Sequence, residues 1–202
     1  MHRSTAVATS VRRTLARAVV AAALLALAGV PALAQQKIVN GGFETGDFAG
    51  FTLSGPSIAQ VRTSGPYAPH SGEYFAALGP YLTDGMLTQT FQTTPGQTLL
   101  FSYFLASTGA TPNDFSAFFN GATLFSQTNI AAQPFTQYLF TLTATGTDQI
   151  AFSFRDDPSY LGLDDVSVIA SAATTTTPEP GTMVLMATGL AGLVTTFRRR
   201  RA

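Results

Sequence analysis

Four acids carry the clearest chemical potential in the sequence. Glu44 and Asp47 lie near the start of the stretch 35–171, and Asp164 and Asp165 near its end, with no lysine or arginine close by in sequence. Oxygen donors without a neighbouring cation suit a hard ion such as calcium, which takes roughly six to eight oxygen ligands and relieves carboxylate repulsion. On an extended strand adjacent side chains point to opposite faces, so one of Asp164 and Asp165 reaches a given ion. Asp165 is favoured, with Asp164 ending a core-facing row through Val166 and Val168. The competing reading is that these acids solvate turns and strand ends.

A second carboxylate pair, Asp156 and Asp157, lies in FRDDPSY (154–160). Adjacent positions diverge on an extended chain, and Pro158 keeps its predecessor out of the helical region. A solvated turn is expected there, with Arg155 pairing to a local acid. His70, the one histidine after residue 34, sits in YAPHSGEY, a turn setting in which solvation is expected. The sequence has no Gly-x-Ser-x-Gly elbow, no His-Glu-x-x-His and no phosphate-cradling glycine loop. No catalytic residue is assigned, and an enzyme is not expected.

The elements that must position these residues are strands. Short β-rich runs separated by Gly, Pro, Asn, Asp and Ser predict strands over 37–40, 51–53, 58–62, 74–78, 86–93, 98–106, 114–119, 122–127, 135–144, 149–155 and 163–170. Their spacing predicts an all-β antiparallel sandwich. Asn120-Gly121 in FSAFFNGATLFS marks a type I′ hairpin. Pairing across it puts Phe119 opposite Ala122 and Ala117 opposite Leu124 on one face. Phe118 then lies opposite Thr123, and Ser116 opposite Phe125, on the other. Phe118 and Phe125 would form either a secondary core layer or a sugar-stacking platform. In FTQYLFTLTAT, Thr136, Tyr138, Phe140, Leu142 and Ala144 make the expected core row, with Phe135, Gln137, Leu139, Thr141 and Thr143 on the other face.

Zero formal net charge conceals three charged regions. Residues 1–34 carry four arginines and no acid, 35–171 carry ten acids against three bases, and 172–202 carry Glu179 against four arginines. An acidic body excludes a phosphate-backbone partner, so no nucleic acid is expected. Each basic cluster instead flanks an apolar run. The first run, AVVAAALLALAGV, precedes the small residues Ala32 and Ala34, which signal peptidase would read. Residues 1–34 are thus a predicted signal peptide, a helix delivered through the Sec translocon and cleaved before Gln35; the alternative is an uncleaved anchor. Residues 181–197 carry no charge, the lower end of the length a membrane-spanning helix needs. The arginines that follow predict a cytoplasmic C-terminus and tethering to the inner membrane. Residues 172–177 form a Thr-rich linker. With no cysteine, the body must rely on core burial or on a metal.

The tail, with Pro178, Glu179 and Pro180, the apolar span, and Arg198, Arg199, Arg200 and Arg201, resembles the PEP-CTERM sorting signal of Gram-negative bacteria over residues 178–202. That resemblance implies recognition by an exosortase, with Pro-Glu-Pro as the recognised segment. The prolines hold it extended and accessible. A second resemblance covers the body. NGGFETGDFAGF (40–51) and YLGLDDVSV (160–168) resemble the first and last segments of carbohydrate-binding-module-like jelly rolls, the galactose-binding-like sandwich. It implies that Glu44 comes near Asp164 or Asp165, where such domains hold a structural calcium. It also implies sugar stacking on aromatic rings. The chain has no tryptophan, and Phe51 stands where such segments often place one. Tyr67 and Tyr81 have the most loop-like settings.

These features together predict a non-enzymatic protein exported to the cell surface or extracellular matrix. The alternative is a module binding exopolysaccharide, and a hydrolase is the remote third.

Overall fold

The computed structural model describes residues 34–55, 59–79, 83–157 and 159–171, and beyond these only Gly181 and Thr188. The body, 33–173, is a unit of its own. Its described residues form eleven strands: β1 Gln35–Gln36, β2 Thr52–Ser54, β3 Gln60–Arg62, β4 Phe75–Leu78, β5 Gly85–Gln92, β6 Thr98–Ser107, β7 Asn113–Phe119, β8 Ala122–Thr128, β9 Gln133–Thr143, β10 Thr147–Asp156 and β11 Leu161–Ala170. All pairings are antiparallel. One sheet runs β3-β4-β11-β6-β9 with β1 also on β11, and the other runs β2-β5-β10-β7-β8.

Alternation makes these strands amphipathic. In β7 every second residue, from Asn113 through Phe115 and Ala117 to Phe119, is buried, and β5 alternates in the same way. The inward rows meet between the sheets, where Tyr103 of β6 packs 5.2 Å from Phe152 of β10, and Phe115 of β7 lies 5.6 Å from Phe152. Each large apolar side chain taken from water there contributes about 1.5–3 kcal/mol, which explains how a body without disulfides folds. On β9, Tyr138, Phe140 and Leu142 pack on the core and Ala144 follows buried, as their period indicated, but Thr136 at the start of the row is exposed.

Two departures from the expected strands shape the functional end. No strand forms over 37–40. Asn40 and Phe43 take positive φ values of 53° and 59°, and a side chain at Gly41 would place Cβ 1.9 Å from the Val166 carbonyl oxygen. The chain turns tightly against β11 there, with Val166 N–H donating to Gly41 O at 2.9 Å. In β11 itself the register against β6 shifts between Asp164 and Ser167, and Asp165 adopts φ 48°. This bulge breaks strict alternation. Leu163, Val166 and Val168 all reach the core, while Asp164 pairs with Phe104 on the other face of the sheet. Asp164 therefore does not end the Val166–Val168 row.

The Asn120-Gly121 turn has φ values of 49° and 80°, as a type I′ hairpin requires. Phe119 faces Ala122 and Phe118 faces Thr123, but a bulge follows. Ala117 then pairs with Phe125, and Ser116 with Ser126, instead of Leu124 and Phe125.

The sandwich has two distinct ends. Gln35 pairs with Ala170, and Ser171 N–H donates to Thr98 O, so both chain ends leave the body beside the β5–β6 turn. The connections β6–β7, β8–β9 and β10–β11 lie at the opposite end. Among the described residues no helix is long and apolar enough to cross a membrane. The expected signal helix, the linker, the Pro-Glu-Pro segment and the terminal arginines fall outside the described residues, as does most of the 181–197 span.

Candidate functional site

The turn through residues 70–74 gathers three of the four acids. Glu44 follows the buried Phe43, and its carboxylate accepts the Glu73 N–H at 3.0 and 3.2 Å and the Tyr74 N–H at 3.2 Å. Gly72 makes this approach possible: its φ is 61°, and a Cβ there would lie 2.2 Å from Glu44 Oε1. Asp164 Oδ2 accepts the His70 N–H at 2.8 Å and the Ser71 N–H at 3.4 Å, and its Oδ1 accepts the Asp165 N–H at 2.7 Å. Asp165 Oδ2 lies 2.6 Å from His70 Nδ1, and Oδ1 accepts the Ser71 hydroxyl at 2.7 Å. The His70 ring stacks on Phe104 with centroids 3.6 Å apart, so this histidine is packed and paired although its turn is exposed.

Burial pushes the Asp164 carboxyl up to about 6, assisted by the neighbouring Asp165 charge and opposed by the N–H donors of Asp165, His70 and Ser71. Asp47 stands apart from the three. It closes its own turn through the Thr45 hydroxyl at 2.6 Å and the Ala49 N–H at 2.9 Å, and these bonds hold its pKa down.

The three acids thus reach one turn from two distant segments, but they do so as acceptors of N–H and O–H groups. Among the described residues no three His, Cys, Asp or Glu side chains are disposed to hold a metal ion. Nor do Ser71, Asp165 and His70 form a nucleophile relay. The carboxylate sits between the hydroxyl and the imidazole, whereas a relay needs the imidazole against the hydroxyl.

The aromatic candidates divide by environment. Tyr67 packs 6.1 Å from Phe75 and 5.8 Å from Phe135, and its hydroxyl donates to Tyr160 O at 2.9 Å. A Cβ on Gly162 would come within 3.0 Å of both Tyr67 and Phe135, so the loop carrying Tyr67 is pressed onto β11. Phe125 turns toward the interior, 4.7 Å from Tyr138 and 6.4 Å from Phe115. The bulge in β8 therefore separates Phe125 from Phe118, and the two do not share a face. Phe118 stays half-buried on the outward face of its sheet, paired with Ala151 on one side and Thr123 on the other. Ser116, Ser126 and Ser153 lie in the adjoining row. Tyr81 lies outside the described residues.

Asp156 and Asp157 do not form a solvated turn. They are 1% and 6% exposed. Arg155 does pair locally, its Nη2 2.6 Å from Asp157 Oδ2. Neither Asp156 oxygen has a hydrogen-bond partner, and the Ser159 N–H acts on the carboxylate against its burial. Burial, reinforced by the Asp157 charge, raises Asp156 to about 6. The sequence held a signal for this: Ile150, Phe152, Phe154 and Asp156 share one parity, and the first three face the core.

Comparison with known proteins adds two findings. Residues 176–201 match the PEP-CTERM protein-sorting motif. The body resembles solved β-sandwiches at low identity. TmCBM61, solved in complex with beta-1,4-galactotriose, superposes with TM-score 0.52 at 18% identity, covering 68% of this chain and 100% of that one. The enzymatically active domain of tailspike protein 4 from bacteriophage CBA120 gives 0.51 at 13% identity over 67% of this chain and 21% of that one. The CBM22-1-CBM22-2 tandem of Paenibacillus barcinonensis Xyn10C gives 0.50 at 15% identity over 75% of this chain and 48% of that one. No curated protein matches the sequence. The chain carries a PEP-CTERM sorting motif behind a body with the jelly-roll fold of carbohydrate-binding modules.

Proposed function

We propose that this chain is a non-catalytic, exported surface or matrix protein, delivered by its N-terminal signal and processed by an exosortase at the Pro-Glu-Pro segment. The observation that carries this reading is the sorting motif over 176–201 directly behind a folded jelly roll. Signal peptidase and the Sec translocon act first, and the inner membrane holds the precursor by the 181–197 span until processing. The saturated His70–Asp165–Ser71 contacts favour a structural body over a hydrolase. Intact mass of the native protein from membrane, envelope and medium tests the proposal. Loss of residues 1–34 and of the terminal arginines outside the inner membrane is expected. Full-length protein in every fraction overturns it.

A second reading is favoured by the open face around Phe118. A half-buried aromatic ring beside serine and threonine hydroxyls offers dispersion to sugar C–H groups and hydrogen bonds to sugar hydroxyls. Glycan contact as such is consistent with the likeness to TmCBM61, solved in complex with beta-1,4-galactotriose. Retention of the native protein on the host's exopolysaccharide, lost in Phe118→Ala and kept in Tyr67→Phe, is the expected result. Equal retention of the wild-type and Phe118→Ala proteins removes this second reading and leaves the sorting assignment standing.

A further inference from the structure

Charge is almost absent from the middle of the chain. Between Asp84 and Asp148 the one charged residue is Asp114. Strands β5 to β9 come from this stretch, and two of them, β8 and β9, are the outer strands of their sheets. They run along the same side of the sandwich, since Phe125 of β8 packs 4.7 Å from Tyr138 of β9. Apolar side chains on that side are only partly covered. Leu124 and Phe125 from β8, with Tyr138, Phe140 and Leu142 from β9, touch the core and stay partly open to solvent. On the outward face, Leu139 is 56% exposed, and Leu100 of β6, paired with Thr141, is 43% exposed.

An outer strand carries a row of unpaired N–H and C=O groups, and soluble proteins guard it with charge, proline, a bulge or short length. Three of the four outer strands have such guards. β2 and β3 have three residues each, and β8 has a bulge against β7 and Asp114 opposite Thr128. β9 is guarded only where it begins, by Pro134 and the irregular pairing between Leu105 and Ser107. From Thr136 to Thr143 its ladder to β6 is regular and carries no charge. Among the described residues no strand pairs with its far side.

We propose that β9 pairs antiparallel with β9 of a second copy of this chain, joining the two β3-β4-β11-β6-β9 sheets edge to edge. Residues 35–171 carry ten acids against three bases, so two copies repel over most of their surface, and the charge-free side is where that repulsion is weakest. A strongly charged partner would find nothing there to answer its own charge. A two-fold axis lets one strand serve both halves of the joint. Opposed residues of an antiparallel pair share a face, so the Tyr138, Phe140 and Leu142 row meets its own copy and the core continues across the joint. The Leu139 row meets itself on the outward face. Phe118 belongs to the other sheet, so the glycan reading of its face and this pairing fail separately.

Light scattering of the full-length chain in nonionic detergent, corrected to protein mass, tests the pairing. The wild type should have twice the mass of one chain. Leu139→Lys and Thr141→Lys, both at exposed positions, should halve it with the circular dichroism of the body unchanged, because the two-fold axis brings like charges together. Thr52→Lys, on outer strand β2 at the opposite side of the sandwich, should keep the double mass. Mixing Leu139→Lys with Leu139→Glu chains should restore it. The proposal is overturned by a wild type of single mass, by a double mass kept in either folded lysine variant of β9, or by loss of fold in both. Loss of the double mass in Thr52→Lys, or a mixture that stays monomeric, also overturns it. A monomeric wild type held on the host's exopolysaccharide, and released by Leu139→Lys, would assign this side to a glycan instead.

Discussion

Tyr103 and Asp148 are both fully buried polar residues, and hydrogen bonding sets them at opposite extremes. The Tyr103 hydroxyl has no partner among the rings that surround it, and burial, with the adjacent Tyr138, drives its pKa upward. An unsatisfied buried hydroxyl carries a desolvation cost with no return. Tyr103→Phe is therefore expected to raise stability by about 1 kcal/mol in urea unfolding. Asp148 has the reverse setting. Burial, the largest influence, pushes it up, but bonds from the Thr145 and Thr93 hydroxyls, Asn120 and the Thr145 N–H outweigh burial and hold it low. A depressed folded-state pKa means that stability is present above the unfolded value near 3.9 and lost as pH falls through the folded value. Asp148→Asn should cost about 1–3 kcal/mol at pH 7 and flatten the fall of melting temperature below pH 4.

At the scale of elements, the 70–74 turn depends on backbone shape as much as on charge. Gly72 combines a φ of 61° with a Cβ position 2.2 Å from Glu44 Oε1, so Gly72→Ala incurs both backbone strain and a clash. A loss of about 2–4 kcal/mol is expected in denaturant unfolding, and Glu44→Ala in the same background should recover part of it by removing the clash. Asn120-Gly121 was legible because a two-residue I′ turn has a strong residue signature. The bulge three residues later was not, since no side chain in ATLFS demands an extra residue. That one insertion sends Phe125 to the core and leaves Phe118 as the outward aromatic. In β11 the Asp165 bulge likewise sends Asp164 under the 70–74 turn, where period-two reasoning put it in the core row.

For the whole molecule, the pairing of Gln35 with Ala170 brings both exits to one end and leaves the β6–β7, β8–β9 and β10–β11 connections at the other. Ten residues of β11, at about 3.3 Å each, separate the end that leads to the sorting tail from the Asp156 end. Substituting Glu179 with Ala should leave the melt of the body unchanged and cause unprocessed chain to accumulate in the membrane fraction. Membrane accumulation with an altered melt would instead place the defect in folding.

The sequence by itself determined most of the strands, the hairpin turn and the sorting tail, because these are written in local period, turn chemistry and contiguous motif. Glu44 and the Asp164-Asp165 pair were identifiable as chemistry, and their approach to each other followed from the jelly-roll resemblance. Only the tertiary structure decided what those acids do. A carboxylate's role depends on which donors arrive from distant segments: N–H groups of the 70–74 turn saturate Asp164 and Glu44, while Asp156, which looked like the edge of a hydrated turn, is buried without any. Solvation and hydrogen bonding are properties of packed neighbours, and linear order does not specify them.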